Sequence, residues 1–197
     1  MITDLALKTM DGYRLLLREN ARQFWSGQGD WGDFYMAMSL TIDRGFRQAW
    51  AEGMRKYNLT LDDQNQEERT TMLVEINKER NFIEGFADFV EANSRENGGK
   101  LTYVYQRVEQ WVAAYNRIRQ LATALSAKDK PLKWTVDAPK ESCSSCQKLK
   151  GKVKRGSYWA DHVTPKSWDK LECRNGCKCS LEPTTEPLSK GPLPSLP

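Results

Sequence analysis

Residues 101–127 read LTYVYQRVEQWVAAYNRIRQLATALSA. Within them Val104, Val108, Trp111, Tyr115, Ile118, Ala122 and Leu125 recur at alternating steps of four and three. A heptad-like seam of this kind predicts a long helix packed near-antiparallel against its neighbours. The chain on its N-terminal side carries the same signal more loosely. Met10, Tyr13, Leu17, Ala21 and Phe24 share one face of a helix expected from about Thr3 to Phe24, widened by Leu15 and Leu16 and ended by Ser26-Gly27-Gln28-Gly29. Asp30 is placed to cap a second helix whose apolar face is Phe34, Met38, Ile42, Phe46 and Ala49. Gly45 and Gly53 cost that helix stability, and close contact with a neighbouring helix is one reason to keep them.

A third helix is expected from near Asp62 to about Asn93, with Leu73, Ile76, Ile83, Ala87 and Val90 on one face and Phe82, Phe86 and Phe89 broadening it. Residues 63–71 are nearly all polar, so it starts late or projects into solvent. Asn97-Gly98-Gly99 stops it. Trp25, Trp31, Trp50 and Trp111 fall on helical stripes and read as core. Short loops favour an up-down arrangement. The expected fold class is mainly α: an elongated bundle of about four helices over 1–127, followed by a smaller module over 128–183 and a flexible proline-rich tail over 184–197.

The smaller module is defined by sulfur. All five cysteines lie there: Cys143 and Cys146 as C-x-x-C, then Cys173, Cys177 and Cys179 as C-x-x-x-C-x-C. A C-x-x-C holds two thiolates on one turn, and two ligands from the second cluster complete a tetrahedral structural zinc site. Cys173 with either Cys177 or Cys179 gives sensible spacing, which leaves one cysteine over. His162, the single histidine, is the alternative fourth ligand and otherwise an exposed polar residue. The start of the chain lacks a secretory pattern and no run reaches a membrane span, so a reducing compartment is expected, where such clusters bind metal rather than oxidise. Trp134, Val136, Leu149, Val153, Tyr158, Trp159, Trp168 and Leu171 are the module's core candidates. That is little to bury, the situation in which a metal supplies stability and short hairpins suffice.

The net charge of +4 is mild but uneven. Residues 1–127 hold 16 basic and 18 acidic side chains, and residues 128–197 hold 14 and 8. Lys148, Lys150, Lys152, Lys154 and Arg155 alternate with Leu149, Gly151 and Val153, which on a strand puts cations on one face. They are the candidate contacts to phosphates. One histidine removes most hydrolase schemes, no Ser-His-Asp or Cys-His pairing has supporting spacing, and a thiolate-filled zinc site lacks the open position that catalysis uses. No enzymatic activity is expected. A zinc-dependent nucleic-acid-binding protein is the alternative in another class. A thiol redox enzyme using Cys143 and Cys146 is a third, requiring a reactive thiolate.

The motifs, taken in order, resemble a family. They are Phe24-Trp25, Trp31-Gly32-Asp33-Phe34-Tyr35, Phe82-Ile83-Glu84-Gly85-Phe86-Ala87, and a helix bearing Tyr105, Arg107, Trp111 and Tyr115. Trp134, the Cys143/Cys146 pair, Leu149-x-Gly151-Lys152-Val153, Trp159, Cys173 and Cys177-x-Cys179-x-Leu181-x-Pro183 follow. This pattern resembles the minor head, or head-morphogenesis, proteins of tailed bacteriophages, the group named after the Mu F protein. The resemblance implies a structural virion component made in the host cytoplasm and placed inside the head near the portal vertex. It also implies head assembly and DNA packaging or ejection as the role, and portal or major capsid protein, and packaged DNA, as partners in an oligomeric assembly. Members often end the cysteine module with His-Pro-x-Cys-x-Cys. Here Leu171-Glu172-Cys173 occupies that neighbourhood, so the ligand set stays open at this point. Some members carry toxin or transferase domains after the module, and this chain shows only its proline-rich stretch there.

Overall fold

Thr9 lies in extended backbone and its Oγ1 accepts the Gly12 amide at 3.1 Å, satisfying one open donor of helix α1, Met10–Trp25. The computed structural model describes residues 9–137, 142–167, 169–173 and 178–196, and the expected start at Thr3 lies outside them. Tyr13, Leu17 and Ala21 of α1 are buried, the expected face, while Leu15 is exposed. Gly27 and Gly29 turn the chain with φ of 77° and 98°, angles that favour glycine. Asp30 Oδ1 then accepts the Asp33 amide at 2.8 Å, and α2 runs Trp31–Arg55 with Phe34, Met38, Ile42, Phe46 and Ala49 all buried.

The expected third helix is two. Thr60 and Asp63 close a capping box around the short 3-10 turn Leu61–Asp63, and Asn65 and Glu68 close another, exchanging backbone-to-side-chain bonds of 2.9 Å each way. Helix α3 therefore starts at Gln66, ends at Arg80, and is followed at Ile83 by α4, Ile83–Ala92. The break at Asn81-Phe82 shifts the helical phase. Phe86 is buried, whereas Phe82 and Leu73 are exposed. Helix α5, Leu101–Ala127, buries Val104, Val108, Trp111, Tyr115, Ile118 and Ala122 of the seam.

The chain forms two compact units: Met1–Gln48 with Arg69–Tyr115, and Ala49–Glu68 with Asn116–Pro197. In the first, a run of rings connects the helices: Phe24 to Phe34 at 4.5 Å between centroids, Phe34 to Phe86 at 5.9 Å and Phe86 to Trp111 at 5.0 Å. Tyr13 lies flat against Gly45, where an added Cβ would stand 2.3 Å from the ring. Trp31 departs from its expected core role. It is 49% exposed and stacks on Tyr35.

In the second unit, Gly53 of α2 meets the backbone of α5, and a Cβ there would lie 2.5 Å from the Arg119 carbonyl. Beyond α5 the chain forms β1 (Pro131–Val136), α6 (Ser144–Leu149), β2 (Val153–Arg155), α7 (Gly156–His162) and β3 (Cys179–Pro183). β1 is central and antiparallel to both partners, with Leu132 opposite Lys154 and Trp134 opposite Leu181. Helix α6 interrupts the β1–β2 connection, so this pairing is not a tight-turn hairpin. Trp134 and Trp159 are fully buried with centroids 5.4 Å apart, and Trp159 Nε1 donates to the Leu132 carbonyl at 3.0 Å. Their core includes Leu132, Leu149, Val163, Leu171 and Leu181, and it takes Ala124 and Ala127 from α5. Of the other expected core residues, Val153 is buried, Val136 and Tyr158 are half-buried, and the side chain of Trp168 lies outside the described residues. The fold is mainly helical with a small antiparallel sheet in its C-terminal unit. Among the described residues no helix is long and apolar enough to cross a membrane.

Candidate metal centre

Cys143 is the N-cap of α6, in extended backbone, and Cys146 lies in the helix's first turn. A C-x-x-C entering a helix in this way sets both thiols on one end of it. Leu149, one turn on, is buried in the tryptophan core and fixes the rotation of this short helix. Leu171 is buried in the same core, two residues before Cys173. The sulfur atoms of Cys143, Cys146 and Cys173 all lie within 4.8 Å of one another, and Cys146 Sγ is 3.6 Å from Cys173 Sγ.

A disulfide needs ~2.05 Å between sulfurs. Four thiolates at ~2.3 Å from one tetrahedral metal stand about 3.8 Å apart. The 3.6 Å separation excludes a disulfide and fits two ligands of one ion, and of the four described cysteines Cys143, Cys146 and Cys173 can hold a metal. Burial alone would raise the Cys143 thiol, but the Cys146 amide and the Cys173 and Cys146 thiols bond to its sulfur and bring it below the ordinary 9.0. Cys143 thus gives up its proton more readily than an ordinary cysteine, and the thiolate is the form that binds metal.

Glu172 ties the two halves of the site together. One carboxylate oxygen accepts the Ser144 amide at 3.1 Å and the Ser144 hydroxyl at 2.7 Å, and the Glu172 amide donates to Ser145 Oγ at 3.3 Å. The Ser144 hydroxyl bond is the main reason its carboxyl titrates below the usual carboxylate value. This residue is absent from the sequence-based candidates. Its signal there is slight, a carboxylate beside Cys173 and two hydroxyls between Cys143 and Cys146.

The remaining candidates are placed as follows. Cys179 is buried on β3, opposite Val136, and is not one of the three converging sulfurs. Cys177 lies outside the described residues. His162 is exposed at the end of α7, its ring stacked on Tyr158 at 4.0 Å and its Nδ1 2.9 Å from the Tyr158 carbonyl. The basic run divides. Lys148 and Lys150 are exposed at the end of α6, Lys152 is half-buried, and Arg155 pairs with Asp129 at 3.1 Å. Lys154, an expected surface cation, is only 9% exposed, with its ammonium bonded to the carbonyls of Ser189 and Gly191 and 5.2 Å from the Tyr158 ring centre.

Those carbonyls belong to the segment after β3, expected as a mobile tail. It is hydrogen-bonded to the unit instead. The Ser189 amide donates to the Val153 carbonyl at 2.9 Å and Ser189 Oγ accepts the Val153 amide at 3.0 Å. Leu193 and Leu196 pack against the tryptophan core. Comparison with protein-family models, with curated proteins and with solved structures finds no match to this chain.

Proposed function

We propose that the chain is a structural virion protein, a minor head protein of a tailed bacteriophage near the portal vertex, with a zinc ion binding its C-terminal unit together. The convergence of Cys143, Cys146 and Cys173 carries the metal part of this reading. The motif order given above supports the phage part. Zinc suits a set of thiolates, with Cys177 or Cys179 as the fourth ligand the sequence offers. The ion fixes the fold of the unit and performs no chemistry.

The first unit supplies the assembly surface. Every large apolar side chain that is strongly exposed among the described residues, Leu188 apart, belongs to it, including Leu15, Met36, Leu40 and Phe82. Where such side chains form a contiguous patch a partner covers it, and the partner of this reading is portal or capsid protein. The second unit contacts packaged DNA through the run from Lys148 to Arg155. The alternative, a zinc-dependent nucleic-acid-binding protein, draws on the same run, in which Lys150 and Lys152 have no side-chain partner among the described residues.

Elemental analysis with native mass spectrometry tests the proposal. One zinc per chain and assembly into a large oligomer or a portal complex is the expected result. A metal-free monomer overturns it. Zinc with tight, salt-sensitive DNA binding by a monomer favours the alternative.

A further inference from the structure

The segment from Thr184 to Leu196 lies along the basic run. At one end, Lys154 gives its ammonium to the carbonyls of Ser189 and Gly191. At the other, Lys148 Nζ donates to the Ser195 carbonyl at 3.1 Å. Two of the five cations in the run are thereby engaged by one short stretch of backbone. Carbonyl oxygens solvate an ammonium without neutralising it. Among the described residues no carboxylate forms an ion pair with Lys154, whose charge is covered and not cancelled, while Lys148 also feels the charge of Glu172.

The cover is held by few bonds. Pro187, Pro192 and Pro194 have no amide to donate. The Thr184 amide on the Pro131 carbonyl and the Glu186 ion pair with Lys133 anchor the segment next to β3. Beyond them, besides the two lysines, the contacts over 188–196 are the two bonds between Ser189 and Val153 and the half-buried Leu193 and Leu196. Segments with so few backbone bonds open at a small fraction of the global unfolding free energy. Beneath it, Lys152 immediately precedes β2 and Lys154 lies in it, and the two-residue step of extended chain separates them by about 6.6 Å. That is close to twice the ~3.4 Å axial step between phosphates on one DNA strand.

We propose that residues 188–196 are a releasable strap. Its lifting frees Lys148 and Lys154 to act with Lys150 and Lys152 as a binding surface for nucleic-acid phosphates. This rests on the reading of the basic run as a DNA-contacting surface. Closed, the surface presents Lys150 and Lys152 without side-chain partners. Open, it presents four cations on adjoining turns of one short segment.

The test is salt-dependent binding of a fluorescein-labelled DNA duplex by the full-length protein and by its Leu193→Ser/Leu196→Ser variant. The variant is expected to bind more tightly, with the slope of log K against log salt steeper by about 1 to 2, because each neutralised phosphate contributes ~0.9. Adding Lys148→Ala and Lys154→Ala should return the slope to that of the unaltered protein. Equal affinity and equal slope for the two chains overturn the strap alone. Binding by neither overturns the strap and the DNA-contacting reading together, while the metal content is unaffected. Hydrogen exchange of the unaltered protein supplies a readout that survives misfolding of the variant. Faster exchange at the Ser189 and Val153 amides in saturating duplex supports release, and unchanged or slower exchange refutes it.

Discussion

Gly53 shows how two small effects compete at one residue. Alanine favours a helix interior over glycine by ~1 kcal/mol. Here its methyl would stand 2.5 Å from the Arg119 carbonyl and 2.9 Å from the Thr123 amide, backbone atoms that cannot turn aside. Overpacking of this kind costs ~1–3 kcal/mol, so after the helix gain Gly53→Ala should be destabilising overall by about 1 kcal/mol, and by up to ~2. A lower urea midpoint at unchanged slope is the expected result, and a raised midpoint contradicts the close approach. Cys143 makes a second residue-level point, about protons. Its thiol titrates below 9.0 in the folded chain, held there by bonds to its sulfur that outweigh burial. The folded state therefore sheds this proton at lower pH than the unfolded chain. The stability it contributes is complete above 9.0 and is lost as pH falls through the lowered folded value. Binding of the proposed zinc follows the same direction because each ligand must be deprotonated. Calorimetric titration of the metal-free protein should show affinity rising with pH and protons released on loading. Affinity independent of pH would exclude thiolate ligation.

Elements differed in how plainly the sequence announced them. The seam of α5 and the face of α2 were legible because each runs for many turns against one side of the core, so period and burial coincide. The break between α3 and α4 was not. Asn81-Phe82 holds neither proline nor glycine, and Ile76 and Ile83 keep a seven-residue step across it, so the pattern reads as one helix. Leu132, Leu181, Ala124 and Ala127 escaped for a different reason. The strands are too short for a clear period of two, and the alanines matter only through what packs on them. At the candidate site, Cys143 and Cys146 were readable as a pair, since their spacing alone sets them on one turn. Cys173 was readable from the spacing of the second cluster, while the part played by Glu172 needed the packing of Leu149 and Leu171 that brings the two segments together. Composition misled at the tail, where prolines suggest mobility and Ser189, Leu193 and Leu196 find partners only in the folded unit. The start of α3 offers a test of this level. Asn65 accepts the Glu68 amide at 2.9 Å, and Asn65→Ala should cost ~1 kcal/mol, seen as faster amide exchange over the first turn of that helix. Unaltered exchange there would show the cap to be dispensable.

At the level of the whole molecule, the division into units predicts an uneven response to metal removal. Chelation in the full-length protein should strip exchange protection from β1, α6 and β3, which share the tryptophan core with the cysteines. Protection in α1 and α4, which lie in the other unit, should persist. Uniform loss across both units, or no loss in either, contradicts a metal that stabilises one unit. The second unit also draws on chain that is far apart in order of manufacture, residues 49–68 and 116 onward. A ribosome adding ~5–20 residues per second delivers the first of these pieces on the order of ten seconds before β3 emerges. Through that interval the buried faces of Trp50 and Met54 have no completed unit to enter. Nascent chains should accordingly engage chaperones most strongly while this stretch waits for its later neighbours.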